Sequence, residues 1–242
     1  MKKIFLLGGY DLEMIEIRNL LEKNNQKYYD YKLKWGASLS AYQSLLNDKE
    51  HFIAVELDED ISQPRNFTLI DHHGENSYKP SSLEQIAKIL NVSLNRWQQL
   101  VAINDVSYIP GLQEFGATQD EIVKIREADR LAQGISLSDE KIAQESIKVA
   151  NPPHIIKTTI DHFSAITDSI YDKFTQYIIF NDIKIVFYGY EVKKVLYFLS
   201  LQNISNENYY YGGGTFGFVG IKDTVLSKEM IKKLIEEFKR YE

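Results

Sequence analysis

Asp71-His72-His73 ends the apolar run Phe67-Thr-Leu-Ile70 with a carboxylate and two imidazoles delivered together. Such groups are seldom core filling, and side by side they can hold a divalent cation. Gly74 follows, where the backbone can turn away and leave the cluster at the edge of a sheet. A pair of hydrogen-bonded loop histidines is the alternative. Further acids follow other apolar runs: Asp11 and Glu13 after Ile4–Leu7, Glu56 or Asp58 after Phe52–Val55, and Asp105 after the helix-like stretch Trp97–Ile103. In a parallel sheet the carboxyl ends of the strands share one edge, so these groups could converge on one or two cations. Two cations close together can activate a water and clamp a phosphoryl oxygen. Each acid also has a plainer use. Asp11 could cap the first helix, Asp58-Glu59-Asp60 could be a solvated loop, and Asp105 could open the turn before Tyr108-Ile-Pro110.

Composition limits what the metal can be. The 242 residues contain no cysteine, which excludes disulfides and thiolate sites. Only His and carboxylates remain, a donor set suited to Mn²⁺, Mg²⁺, Fe²⁺ or Zn²⁺. The net charge is −6, and it is unevenly shared. Residues 151–242 carry 11 basic and 11 acidic side chains, leaving 17 against 23 in residues 1–150. An acidic half suits cations and argues against a duplex nucleic-acid partner. No apolar stretch reaches membrane-spanning length and the amino terminus lacks a signal pattern, so a soluble, cytoplasmic protein with no membrane partner is expected.

The elements that must position these residues alternate. Lys3–Leu7, Lys27–Leu33, Phe52–Val55 and Phe67–Ile70 read as strands. Helical spacing follows the first strand at Leu12, Ile15, Leu20 and Leu21, and Ser38–Leu46 reads as a short helix. Ser81-x-x-Glu84 and Thr118-x-x-Glu121 are capping boxes ahead of two more helices, the second ending at Gly134, and another helix spans Asp139–Val149. Asn151-Pro152-Pro153 stops the helices and marks an expected boundary. Beyond it the pattern predicts a helix over Ile160–Phe174 and strands at Tyr177–Phe180, Lys184–Tyr188 and Val195–Leu199, the last also short enough to be helical. Then come a glycine-rich segment from Tyr209 to Gly220 and an amphipathic helix with Ile231, Leu234, Ile235 and Phe238 inward. The fold class is α/β: a mostly parallel sheet with crossover helices over residues 1–150, and a smaller α/β domain over 151–242.

This order of pieces resembles the DHH phosphoesterase superfamily, which includes single-strand exonucleases, oligonucleotide and cyclic-dinucleotide phosphodiesterases and Mn²⁺-dependent pyrophosphatases. Ile70-Asp71-His72-His73 matches the naming motif and Asp105 the downstream aspartate motif. Gly212-Gly213-Gly214-Thr215 looks like the glycine loop of the accessory DHHA1 domain, usually Gly-Gly-Gly-His. The resemblance implies His72 and Asp105 as metal ligands, with Asp11, Glu13, Glu56 and Asp58 as further candidates. It makes Asp71 and His73 the catalytic pair, His73 near the scissile phosphate and Asp71 supporting it. The glycine loop with Thr215 would bind substrate. Arg126 could add a phosphate contact, although Arg126 and Arg130, one helical turn apart, could equally form a surface ion-pair ladder.

Three positions depart from the pattern. Gly8-Gly9 stands where a histidine usually precedes the first acidic motif, Glu13 replaces an aspartate, and Thr215 replaces the DHHA1 histidine. The expected activity is metal-dependent hydrolysis, Mn²⁺ first among the candidate ions, of a phosphodiester or phosphoanhydride in a small nucleotide or short single-stranded oligonucleotide. A relative that keeps the cleft, has lost catalysis and senses a nucleotide is the other reading. Oligomeric state is not fixed by the sequence.

Overall fold

The computed structural model describes residues 2–34, 36–73, 76–152, 154–205, 208–213, 217–221 and 226–239. It divides into two units, Met1–Gly134 and Ile135–Glu242. The division precedes the Asn151-Pro152-Pro153 break, because the helix between them packs within the second unit.

In the first unit, β1 (Lys3–Leu7), β2 (Lys27–Asp30), β3 (His51–Val55) and β4 (Phe67–Ile70) form a wholly parallel sheet in the order β2-β1-β3-β4. β1 is central and Ile4 to Leu7 are all buried, as befits a strand covered on both faces. The chain leaves β1 toward β2 on one side and β3 lies on the other. The order therefore reverses beside β1, and the carboxyl ends of β1 and β3 are where a sheet of this kind places its ligand site. Gly8 permits this close approach: a Cβ there would lie 2.2 Å from the Glu56 carbonyl oxygen.

Helix α1 (Leu12–Lys23) buries Leu12, Met14, Ile17, Leu20 and Leu21. A 3-10 turn, Leu39–Leu45, replaces the short helix expected there and seals one sheet face with Leu39 and Tyr42. The buried Tyr42 hydroxyl donates to Leu7 O (2.6 Å) and accepts from Tyr31 N (3.1 Å). Both predicted capping boxes are present, Ser81–Glu84 at α2 (Ser82–Leu90) and Thr118–Glu121 at α4 (Gln119–Ala132). Between these helices runs α3 (Arg96–Glu114), interrupted at Tyr108, whose φ of 53° and ψ of −151° are not helical. Asp105 thus sits within a helix, one turn before a kink, and does not open a turn.

The second unit contains α5 (Leu137–Val149), β5 (Ile155–Lys157), α6 (Ser164–Ile170), β6 (Gln176–Phe180), β7 (Ile185–Gly189), α7 (Val192–Leu201), β8 (Tyr209–Gly213), β9 (Gly217–Ile221) and α8 (Lys228–Phe238). Its sheet runs β5-β6-β7-β9-β8, with β5 parallel to β6 and the remaining pairs antiparallel. Alternation along the strands builds two cores. Tyr177, Ile179 and Val186 join Ile166 and Ile170 on one face, while Ile178, Ile185, Phe187 and Val219 join Leu199, Leu234 and Phe238 on the other.

Three predicted elements need correction. Val195–Leu199 is helical, since Val192, Val195, Leu196 and Leu199 recur at helix spacing and all pack on that second core. The helix over Ile160–Phe174 contracts to Ser164–Ile170, and the second strand stops at Asp30. Strand β5 escaped the sequence pattern because three residues are too few to show a period. Among the described residues no helix is long and apolar enough to cross a membrane.

Candidate metal centre

Four elements bring side chains together at the carboxyl edge of the first unit's sheet. Asp11 is the N-cap of α1, its Oδ1 accepting from Met14 N at 2.8 Å, so the capping use proposed for it is real. Glu13 lies in the first turn and is 2% exposed. Its Oε1 accepts from the Leu83 amide of α2 at 2.9 Å, which leaves Oε2 to face His72. Glu56 follows β3 with a left-handed φ of 53°, a backbone that costs a non-glycine residue about 1 kcal/mol or more and belongs to constrained sites. His72 follows β4, and Asp105 enters from α3.

Their free atoms meet at one imidazole nitrogen. His72 Nε2 lies 2.7 Å from Asp105 Oδ2, 3.4 Å from Glu56 Oε1 and 3.5 Å from Glu13 Oε2. All four atoms are buried, and they meet one another as close ion-pair contacts rather than well-aligned hydrogen bonds. One imidazole cannot satisfy three carboxylates, and a buried charged group short of partners costs about 1–3 kcal/mol or more. Ligands sharing one ion at about 2.1 Å stand roughly 3 to 3.5 Å apart, so this spacing and this donor chemistry fit a divalent cation. Glu56, His72, His73 and Asp105 each bring a ligand atom within 4.8 Å of the others.

The electrostatics report the crowding. Burial, with the charges of Asp105 and Glu56, raises the proton affinity of both Asp11 and Glu13 well above the carboxylate norm. Burial opposes charge on His72, but Asp105, Glu13 and Glu56 outweigh it and push the imidazole to about 12. Glu56 moves the other way: burial would raise it, yet His72, His73 and the Ser82 hydroxyl hold it down. Protons are thus doing what a cation could do better.

His73 is half exposed, and its ring lies 4.2 Å from that of His72. Asp71 holds it. Asp71 Oδ1 is 3.1 Å from His73 Nδ1 and accepts its backbone amide at 3.0 Å, while Asn76 Nδ2 donates to Oδ2 at 3.0 Å. Burial would raise the Asp71 carboxyl, but these donors keep it well below the usual range. The Asp71 interaction, against burial, also raises the proton affinity of His73.

The other predicted positions lie elsewhere. Asp58 is exposed, with its backbone bonded to Ala37 and Leu39, while Glu56 is the acid after β3 that reaches His72. Arg126 is buried, so the surface ladder does not form. Its Nη1 donates to Asn104 Oδ1 (2.9 Å) and Asp129 Oδ2 (2.8 Å), and its guanidinium covers the Tyr108 ring at 4.6 Å. The arginine therefore grips the kink beside Asp105. Gly212 and Gly213 are in the second unit, at the end of β8 opposite Phe218 and Gly217. Gly74, Pro153, Gly214 and Thr215 lie outside the described residues. The sequence patterns Asn104-Asp105 and Arg126-x-x-Asp129-Arg130 included Asn104 and Asp129 without giving either a role, and Ser82, next to the Ser81 cap, is the one residue here that sequence reasoning passed over.

No family model matches the chain. No curated protein matches it either. Solved structures do. The RecJ of Thermus thermophilus in complex with Mn²⁺ superposes with a TM-score of 0.53 at 11% identity, over 99% of this chain and 52% of RecJ. This chain therefore spans about half the length of that relative. A manganese-bound exonuclease RecJ (TM-score 0.47, 9% identity, 99% and 90% coverage) and a pGpG-specific phosphodiesterase, PggH, from Vibrio cholerae (0.42, 14%, 97% and 97%) also match, too loosely to carry an argument. The likeness is one of fold, which this chain shares with the RecJ of Thermus thermophilus, and at the carboxyl edge of its parallel sheet Glu56, His72, His73 and Asp105 form a group that could hold a metal ion.

Proposed function

We propose that this protein is a divalent-metal-dependent phosphoesterase acting on a phosphodiester or phosphoanhydride in a small nucleotide or short single-stranded oligonucleotide. The observation that carries this reading is the convergence of four buried donor atoms, three carboxylate oxygens from Glu13, Glu56 and Asp105 around His72 Nε2. These residues would hold the cation, with Mn²⁺ the first candidate, and Asp11, whose proton affinity the charges of Asp105 and Glu56 raise, is a further candidate. Such an ion polarises a phosphoryl oxygen and makes water a better nucleophile near neutral pH. The chain supplies the rest. His73, oriented by Asp71, which also raises its proton affinity, is partly exposed to solvent and could donate to the oxygens of an arriving phosphate. The Gly212–Gly214 loop and Thr215 remain the proposed substrate grip of the second unit. Arg126 is better assigned to holding α3 than to the phosphate.

The test is hydrolysis of bis-p-nitrophenyl phosphate and of a dinucleotide with added Mn²⁺, together with metal content after purification without chelator. Activity that disappears in His72→Ala and Asp105→Ala supports the proposal. One observation favours the non-catalytic, nucleotide-sensing alternative: the backbone contact at Gly8 leaves no room for a side chain, so no imidazole can stand there. Less than about half an equivalent of bound metal, with nucleotide binding and no turnover, would decide for the sensor.

A further inference from the structure

The second unit carries a pocket of about 550 Å³ at one end of its sheet. Three strands build it. His154 immediately precedes β5 and is tied to β6 through its carbonyl, which accepts from Ile178 N at 2.8 Å. Gln176 begins β6 and pairs with Gly189, the last residue of β7, so Tyr190 and Glu191 leave the sheet beside it. Lys173, Phe174 and Thr175 add a wall from the turn that leads into β6. The volume lies within the ordinary range of small-molecule sites, about 300–1,000 Å³.

The lining combines flat rings with one available cation. His154 meets Phe174 edge-on at 6.2 Å and Phe238 at 6.0 Å, which holds its plane, while Tyr190 keeps 58% of its surface exposed. Aromatic faces of this kind stack nucleobases. Lys173 is exposed and makes no ion pair among the described residues, so its ammonium can meet a phosphate as a point charge. Glu191 is the acid of the lining, and Lys194 answers it at 3.1 Å, which lessens its repulsion of an entering anion. Thr175 and Gln176 add a hydroxyl and an amide, each able to donate and to accept at a sugar or a base edge.

We infer that this pocket binds a purine nucleoside monophosphate, with the base against Tyr190 and the phosphate at Lys173. A purine offers the larger ring system to a lining that carries three rings. The site goes beyond the metal centre and stands without it, because every residue it uses belongs to the second unit. It shares an end of the sheet with the glycine segment, since Gly189 pairs with Gly217 and Gly217 with Gly213, but it is built by other side chains.

Calorimetric titration with AMP and with GMP, in EDTA so that the first unit holds no metal, tests this. The parent should bind at least one of them with a Kd below about 1 mM. Tyr190→Ala should weaken that Kd at least about fivefold, the low end of what stacking on an aromatic side chain contributes per base. Lys173→Ala should weaken the nucleotide at least about threefold and leave the matching nucleoside, adenosine or guanosine, within about twofold, because only the phosphate meets the cation. Both substitutions fall at exposed positions, and circular dichroism checks that each variant keeps the parent fold. Failure of both nucleotides to bind the parent in EDTA overturns the inference, and so does a smaller effect of either substitution. A nucleotide that binds only when Mn²⁺ is added also overturns it while leaving the metal reading intact. Nucleotide binding in EDTA beside no turnover in Mn²⁺ keeps the pocket and sinks the hydrolase, so the two can fail separately.

Discussion

Glu13→Gln separates the cost of the metal site from its use. Glutamine keeps the carbonyl that accepts the Leu83 amide at 2.9 Å and replaces only the oxygen 3.5 Å from His72 Nε2. In the metal-free protein the ionised Glu13 is a burden. Burial raises its proton affinity first, and the charges of Asp105 and Glu56 add to it beyond what His72 relieves. A carboxyl whose folded pKa is raised contributes stability only while protonated. That contribution is complete below the unfolded value near 4.5 and is lost as pH rises through the folded value. At neutral pH the substitution loses one attraction and relieves two repulsions. The balance is about one like-charge contact, ~4 kcal/mol at 4 Å and an effective dielectric of 20. Part-time protonation of Glu13 already recovers some of this, so a gain of about 1–2 kcal/mol is expected.

With metal present the order reverses. At a Mn²⁺ concentration about 100 times Kd the parent gains ~2.7 kcal/mol, and a site weakened about 100-fold by losing a charged ligand gains only ~0.4 kcal/mol. Thermal unfolding followed by circular dichroism reads both effects at roughly 2–4 °C per kcal/mol. Glu13→Gln should melt higher than the parent in chelator, yet show a shift of about 1 °C with Mn²⁺ where the parent shows about 5–11 °C. The metal-free advantage should shrink as pH falls toward the ordinary carboxylate range. A variant that melts lower than the parent in chelator, or keeps the full metal-induced shift, would refute the placement of Glu13.

Two further outcomes follow from the same electrostatics. Asp11, Glu13 and His72 all hold protons more tightly in the metal-free fold, so Mn²⁺ must expel them: affinity should improve about tenfold per pH unit for each proton released. Titration heats in buffers of different ionisation enthalpy would show the release, and buffer-independent heats would contradict it. Away from the site, burial raises the Tyr42 phenol to about 12. The proton is held more tightly folded than unfolded, so this stability is intact below about pH 10 and lost as pH rises toward about 12, about 2–3 kcal/mol in all. Tyr42→Phe should remove that alkaline loss while costing about 1–3 kcal/mol at neutral pH, because Leu7 O and Tyr31 N lose their partner; urea unfolding at about pH 7 and about pH 11 measures both.

What could be read from the chain was residue type and order. Asp71-His72-His73 after an apolar run, and acids after two other runs, identified the edge of the sheet because parallel strands deliver their ends to the same side. Capping boxes at Ser81 and Thr118 placed two helix starts to the residue, since capping is local chemistry. Atom-level assignments needed three dimensions. Glu56 and Asp58 are equally plausible in sequence, and only the left-handed turn at Glu56, with the pairing of Asp58 to the segment before the 3-10 turn, sends one inward and the other to solvent. Arg126 read as either a phosphate contact or part of a surface ion-pair ladder with Arg130, because two of its partners, Asn104 and Tyr108, lie on another helix and cannot be seen from its own.

Gly8 shows the limit of motif reasoning most directly. In the sequence it reads as a lost histidine, a subtraction from the site. In the fold it is the condition for the site, because any side chain would drive β1 away from the Glu56 carbonyl. The strained backbone at Glu56 and the kink at Tyr108 have the same character. Each spends local stability to aim one carboxylate, and neither is useful unless something positive occupies the point on which the carboxylates converge. A protein without use for a cation would gain stability by relaxing both turns and replacing Glu13 with an apolar residue. That several separate segments bear such costs around one imidazole says more about how this cluster is built than the three-letter motif at its centre.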